Sequence, residues 1–301
     1  MAAVGYQYQQ HHSGPPVDGA LQPGKGLVCA LQHVEPLNHN TSRFRFSLPS
    51  SRHVLGLPTA SHIVAVDNAM VARAYTPVTL DKFDKGYFDL IIKRYDNGYF
   101  SEWFHKLVPG DTMEFRGPMT TLHYEPNAAL CLGMIAGGTG ITPMYQVIRT
   151  VLSTPEDTTQ IRLVYANNTE EDIILRDELN QLEAEHPAQL QVKYVVSHPA
   201  ALRSPPAGAA EFATRGGVTR DTRPLVTGRV DATCIEGFLP APDEPRTAVL
   251  VCGPDGMMRH LCGDASIQQH RRRQGLTPIL GGLLRQMGYA RQVVQFLDDL
   301  G

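Results

Sequence analysis

Hydrophobic and polar positions along the chain follow two different rhythms. Over residues 27–124 the apolar residues come in short or alternating runs, FRFSLP, HIVAVD, MVARAYTPVT, YFDLIIKRY and TMEFRG, separated by Pro, Gly, Asp and Asn. Alternation with a period of two turns one side of each run to a core. Many short strands at this spacing predict a small antiparallel Greek-key β-barrel. After EPNAA the texture changes to apolar strands followed by amphipathic helices: CLGMIA before TPMYQVIRTVL, IRLVYANN before EEDIILRDELNQLEAEH, then LQVKYVVS, and TAVLVC before DGMMRHLCGDA. Strands alternating with helices of this length imply right-handed crossovers and a parallel α/β sheet.

Helix-end signals sharpen the second half. Thr142-Pro143 offers an N-cap and a first-turn proline, and Met144, Val147, Ile148, Val151 and Leu152 recur at helical spacing as one buried stripe. Thr169 to Asp172 reads as a second N-cap with acidic residues in its first turn. Residues 1–24, rich in Gln, Gly, Pro and His, carry too little aliphatic surface to offset the entropy of ordering and are expected to form a disordered tail. Residues 197–229 show no periodicity and read as a surface insertion. The expected division is a tail (1–24), a barrel domain (25–126) and an α/β domain (127–301).

Composition supports that division. A chain of 301 residues with 42% hydrophobic content can bury two cores. A net charge of −3 gives no general basic footprint, so nucleic-acid binding is a poor reading. The five cysteines, Cys29, Cys131, Cys234, Cys252 and Cys262, are scattered and never form C-x-x-C, so neither a disulfide framework nor a thiolate metal site is expected. The N-terminus has no basic start before an apolar run, and no apolar stretch approaches the ~20 residues of a membrane helix. These features point to a soluble, cytoplasmic protein, or one peripheral to a membrane through a partner.

Three motifs carry candidate chemistry. Gly137-Gly138-Thr139-Gly140-Ile141-Thr142-Pro143 joins an apolar strand to a helix. Glycines there let backbone approach a ligand, and the helix N-terminus presents unpaired N–H groups to a pyrophosphate. The spacing is neither G-x-G-x-x-G nor a P-loop, and a tight turn without ligand is the plain alternative. Arg73-Ala-Tyr75-Thr76-Pro77 ends a barrel strand; a guanidinium suits a diphosphate, and an aromatic ring with a hydroxyl suits a flavin, although edge packing would also use these residues. Cys252-Gly253-Pro254 ends an apolar strand where α/β sheets collect ligands, the alternative being a small buried hydrophobe.

In order along the chain, the motifs resemble the cytochrome b5 reductase branch of the ferredoxin-NADP reductase superfamily. The match spans most of residues 37–258 and includes HNTSRFRF from His39, HVLGLP from His53, RAYTP, FDLIIK, the glycine loop, NTEEDIILR from Asn168, and CGP. This resemblance implies that Arg73 contacts flavin phosphates, that Tyr75 packs on the ribityl chain and ring, and that Thr76 sits where the isoalloxazine accepts hydride. It places Ile91, Ile92 and Lys93 on the strand lining the flavin, with Lys93 toward the nicotinamide nucleotide and Tyr95 nearby. Gly98 and Ser101 fall where the family's G-G-K-M-S loop meets the pyrophosphate, yet this chain reads Asn97-Gly-Tyr-Phe-Ser101, without the lysine and methionine. His39 is a candidate proton relay to Thr76, or a loop histidine without a role. Gly138, Thr139, Thr142 and Pro143 would cradle NAD(P)H, Cys252, Gly253 and Pro254 would lie beside the nicotinamide, and Phe296 would be the terminal aromatic at the nucleotide site.

The implied cofactors are FAD and NADH. NADPH is not excluded, because Ser197-His198 stands where NADH-selective relatives carry an aspartate. The implied activity is hydride transfer from the dinucleotide to FAD, followed by single electrons to cytochrome b5 or a similar small haem protein, which Lys82, Lys85, Lys93, Arg94 and Lys106 could attract. The alternatives are a same-fold reductase of ferric chelates or quinones, and a flavin-barrel binding protein without turnover.

Overall fold

The computed structural model describes residues 19–199, 225–264, 280–289 and 293–295. The first half forms β1 (Leu27–Pro36), β2 (Thr41–Ser47), β3 (Ser61–Val66), β4 (Ala72–Tyr75), β5 (Tyr87–Lys93) and β6 (Thr112–Thr120), with a short helix α1 (Tyr99–Phe104) before β6. These six strands make one antiparallel sheet in the order β4-β3-β6-β1-β2-β5. Strand β1 serves two partners: Leu27 to Ala30 pair with β6, and Leu31 to Pro36 pair with β2. Past β4 the chain returns to the other edge, where Val78 N–H donates to Asp89 O of β5 at 3.0 Å. The Greek-key barrel expected from the alternating runs is thereby closed.

Alternation fills the barrel with aromatics. Phe44, Phe46, Phe88, Phe104 and Phe115 are all essentially unexposed, and Phe46 meets Phe115 edge-on at 4.9 Å between ring centres. Helix α1 was not expected from the sequence. Its Phe100 and Phe104 point into the same core, and burying each is worth roughly 1.5–3 kcal/mol, which holds a helix too short to persist alone.

The second half contains β7 (Cys131–Gly137), α2 (Ile141–Leu152), β8 (Gln160–Asn167), α3 (Arg176–Glu185), β9 (Leu190–Val196), β10 (Val226–Thr227), α4 (Ala232–Ile235), β11 (Thr247–Cys252), α5 (Asp255–Cys262), α6 (Gly282–Gln286) and β12 (Val293–Gln295). Their sheet is parallel, in the order β10-β9-β8-β7-β11-β12. Strands β7 and β11 are buried almost throughout, as a sheet covered on both faces requires. Among the described residues no helix is long and apolar enough to cross a membrane.

Several expectations change. Part of the presumed tail belongs to the barrel: Gly19 bridges Val54, Ala20 N–H donates to Val54 O, Leu21 N–H donates to Leu55 O, and Leu21 is 7% exposed. Pairing with an ordered loop supplies what composition lacked; residues 1–18 lie outside the described residues. Helix α2 starts at Ile141 behind a 3-10 turn over Gly138–Gly140, so Gly140 and not Thr142 stands at its cap. Helix α3 starts at Arg176 instead of Thr169. The Asp172 carboxylate accepts from Thr169 N–H and Thr169 Oγ, turning the chain there, and Ile173, Ile174 and Leu175 are then buried. The presumed insertion also contributes β10 to the sheet edge.

The two halves share one core. Ala60, Val78 and Ile91 of the barrel lie in the same apolar cluster as Ile141, Val147, Ile148 and Val151 of α2. Helix α2 is therefore buried on more than the stripe its apolar spacing predicts, since one side meets the parallel sheet and the other meets the barrel.

Candidate functional site

The site is assembled at the ends of strands. Strand β4 delivers Arg73, Tyr75 and then Thr76, and its partner β3 fixes them by pairing Ala65 with Arg73 and Ile63 with Tyr75. The Arg73 guanidinium lies 6.0 Å from the Phe100 ring, and the Tyr75 ring lies 6.2 Å from it, so both side chains gather at α1. Thr76 is 8% exposed. A guanidinium beside the first turn of a helix is chemistry suited to a diphosphate, so these residues fit the anionic centre of FAD.

Gly98 and Ser101 form the turn that starts α1. Ser101 Oγ accepts from Tyr95 N–H and donates to Gly98 O, both at 3.1 Å, and the side chain is fully buried. Its hydroxyl is thus spent on the shape of the turn. A Cβ on Gly98 would stand 2.6 Å from that oxygen. The Asn97 to Ser101 sequence thus makes a compact helix start without the family lysine and methionine.

Strand β5 carries Ile91 and Ile92, at 4% and 2% exposure, then Lys93 and Tyr95, to the border with the second domain. There Tyr95 OH lies 3.4 Å from Thr139 Oγ1, and Lys93 Nζ lies 3.5 Å from Asp172 Oδ1. Lys93, expected to wait for a nucleotide, is held in an ion pair across the domain border.

The glycine loop meets β5 from the other side. Gly138 adopts φ +52°, a left-handed conformation that favours glycine, and nothing lies within 4 Å of where a Cβ would stand. Open space over left-handed glycine backbone in front of a 12-residue helix fits the pyrophosphate of a dinucleotide. Tyr165 OH donates to Gly138 O at 3.1 Å, and burial pushes this phenol far above its ordinary range, so it stays a neutral donor. Thr139, Thr142 and Pro143 are buried just behind. Gly140 packs so closely on β11 that a Cβ there would stand 2.3 Å from Cys252 O.

Cys252, expected beside the nicotinamide or else as a small buried hydrophobe, is 0% exposed, in the cluster that also holds Val78, Ile91 and Ile141. Gly140 on one side closes over it, while Met257 of α5 crowds Gly137 and Gly253. Gly253 and Pro254 continue that wall toward α5. His39 is exposed on the β1–β2 turn, whose Asn40 O accepts from Arg94 N–H on one flank of β5. The chain that carries Thr76 runs along the opposite flank, through Val78 and Asp89. Phe296 lies outside the described residues, immediately after β12, which runs parallel to β11.

Sequence reasoning missed the residues that join the halves. Gln146, 1% exposed, bonds both backbone groups of Ser61 at 3.2 Å; Arg149 Nη1 donates to Val78 O at 2.8 Å; Arg43 bridges Glu35 and Glu178. The one visible signal was a glutamine inside an otherwise apolar helix stretch. Of the expected docking cations, Lys82, Lys85, Arg94 and Lys106 are exposed, Lys82 also donating to Ser153 O, while Lys93 is half-buried in its ion pair.

Comparison with known proteins agrees with this geometry. The oxidoreductase FAD-binding domain family matches residues 28–124, and the oxidoreductase NAD-binding domain family matches residues 134–207. NADH-cytochrome b5 reductase 1 of Bos taurus is 39% identical over 86% of this chain and 87% of its own. NADH-cytochrome b5 reductase 1 of Dictyostelium discoideum is 41% identical over 83% of this chain and 80% of its own. Among solved structures, the cytochrome b5 reductase domain of Ulva prolifera nitrate reductase superposes with a TM-score of 0.73 at 31% identity, over 93% of this chain and all of that one. With two-sheet architecture, converging strand ends and relatives at this identity, the chain belongs to the NADH-cytochrome b5 reductase family.

Proposed function

We propose that this protein oxidises NADH at a bound FAD and passes the electrons singly to cytochrome b5 or a similar small haem protein. The observation that carries the reading is the meeting of the two strand-end sites, with Tyr95 against Thr139 and Lys93 against Asp172. Bound FAD supplies the conversion of a two-electron donor into single electrons. In this reading Arg73 and the backbone N–H groups of Tyr99 to Ser101 hold the diphosphate, the Gly98 N–H being taken by Tyr95 O; Tyr75 packs on the flavin, and the Thr76 hydroxyl would hydrogen-bond the ring edge that gains hydride. Ile91 and Ile92 lie on the strand that borders the flavin, Ile91 turned to the core shared with α2 and Ile92 to the barrel core. Gly138 and Thr139, backed by Thr142 and Pro143, hold the dinucleotide, and Cys252, Gly253 and Pro254 form the wall behind the nicotinamide. Lys93 exchanges Asp172 for the incoming nucleotide. His39, on the exposed β1–β2 turn, keeps its proposed place as a proton relay to Thr76.

The chain's contribution is alignment, together with donors that favour the reduced ring. At the end of β9, Ser197 Oγ lies 3.0 Å from His198 Nδ1, and neither residue is a carboxylate that would repel a 2′-phosphate. NADPH therefore belongs in the test as a second donor. A cytoplasmic setting suits five cysteines that are all buried, the Cys29 thiol pushed up to about 12 by burial.

Anaerobic mixing with NADH or NADPH, followed at the flavin band, tests donor and cofactor together; cytochrome b5, ferric citrate and a quinone are then offered in turn. Bleaching by NADH with cytochrome b5 as the fastest acceptor is the expected result. Fastest turnover with the chelate or quinone would reassign the acceptor, and a chain that takes up no FAD would end the proposal.

A further inference from the structure

We propose that Gln146 and Arg149 are positioning residues for hydride transfer: through Ser61 and Val78 they set the angle at which α2, and the glycine loop ahead of it, faces the flavin side of the barrel. This inference rests on the reading of function given above. Helix α2 begins at Ile141, capped by Gly140 directly behind the nucleotide cradle, and runs for 12 residues, about 18 Å, along the barrel. On its barrel side two polar side chains reach main chain. Gln146 accepts from Ser61 N–H and donates to Ser61 O, each at 3.2 Å, so its amide stands where a neighbouring strand's peptide would. Arg149 donates to Val78 O at 2.8 Å, with Asp84 Oδ2 at 3.6 Å beside it. Thr59 adds a hydroxyl contact to Thr150 at 3.3 Å.

The two anchor points are informative. Ser61 opens β3, the strand on which β4 and its Arg73 to Tyr75 segment are laid, and Val78 lies two residues beyond Thr76. Apolar packing alone would have joined the halves, and the cluster around Ala60, Val78 and Ile91 already does so. Apolar contact is non-directional, whereas a buried amide that must satisfy both its groups permits one register. With Gln146 at 1% exposure, sliding α2 would leave Ser61 N–H and O and the amide itself unpaired. The bonds therefore fix pose more than they add adhesion. Hydride transfer is sensitive to pose: a shift of about 1 Å between donor and acceptor costs on the order of 100-fold.

The test uses the full chain loaded with FAD, as Gln146→Met, Gln146→Glu and Arg149→Met. Three quantities are read: FAD bound per chain, the saturating rate of flavin bleaching by NADH with its half-saturating concentration, and the long-wavelength charge-transfer absorbance of the reduced protein with NAD+. We expect unchanged FAD content and a half-saturating NADH concentration within about twofold. The saturating rate falls by about 10-fold or more in Gln146→Met, with a weakened charge-transfer band. Gln146→Glu, which keeps the acceptor for Ser61 N–H and loses the donor to Ser61 O, falls between. Should Gln146→Met not fold, Gln146→Glu and Arg149→Met are read by the same criteria. Wild-type bleaching rate and charge-transfer absorbance in folded variants would overturn the inference, as would a loss confined to FAD content with the rate per bound flavin intact. A wild-type protein that NADH does not bleach would instead overturn the reading of function.

Discussion

Gly138 and Gly98 each precede a helix, and each is proposed to face a pyrophosphate, but the chain needs glycine at the two places for different reasons. Gly138 has φ +52° and open space beyond it, so glycine is required by backbone conformation and by the ligand side. Gly98 has an ordinary φ of −83°, and its missing Cβ makes room for Ser101 Oγ at 2.6 Å and Tyr95 Cβ at 3.1 Å. The first turn is backed by a long helix and a parallel sheet, the second by six helical residues held by aromatic packing. A site can thus be stiff because its scaffold is extended or because its turn is internally stitched. The two kinds of stiffness should fail differently.

The strongest test of the first kind is Gly140→Ala. Its Cβ would meet Cys252 O at 2.3 Å and Gly253 N at 2.8 Å, backbone atoms that cannot swing away. We expect a loss of roughly 3 kcal/mol or more in urea unfolding, in line with overpacking. Gly138→Ala meets no atom, so only about 1–2 kcal/mol of left-handed strain is expected. NAD+ affinity measured by titration should fall about 10-fold as the methyl enters the cradle, with FAD content unchanged. Gly98→Ala should show the opposite pattern: flavin content per chain falls, stability drops by about 1 kcal/mol because Ser101 loses a hydrogen bond, and NAD+ affinity is kept. Equal loss of both ligands in either variant would erase the distinction.

The smallest effect is one of pH. His105 caps the end of α1, with Nε2 3.0 Å from Ile92 O, and burial pulls its pKa below the ordinary 6.5 despite that contact, with Arg94 adding to the lowering. A depressed folded pKa means that the neutral ring is favoured on folding. Stability from this group is present above pH 6.5 and is lost as the pH falls through its folded value. Mild acid should therefore loosen flavin more than dinucleotide, an asymmetry read by flavin fluorescence between pH 7 and pH 5 and removed in His105→Phe.

The contrast also explains what could be read from the sequence. The glycine loop was legible because strand, turn and helix follow one another locally, and the apolar run and the stripe from Met144 to Leu152 both point to it. Helix α1 was not, since Tyr99 to Phe104 is too short for a period to show and its stability comes from Phe44 and Tyr75, distant in sequence. The late start of α3 was hidden for a related reason. Thr169 to Asp172 looks like an N-cap, but Asp172 turns its carboxylate back on Thr169 and the helix opens only after Leu175, at φ +57°. The barrel edge at Gly19 to Leu21 and the grip of Gln146 on Ser61 depend on partners 35 and 85 residues away, which periodicity cannot name.

The seam formed by Ala60, Val78 and Ile91 against α2 and β7 has a thermodynamic consequence for the whole chain. Neither sheet can melt without stripping oil-like surface from the other, so heat should take both apart in one calorimetric transition. Ligand bound to either half then protects both, and a fragment ending at the linker would present that seam to water as a sticky face.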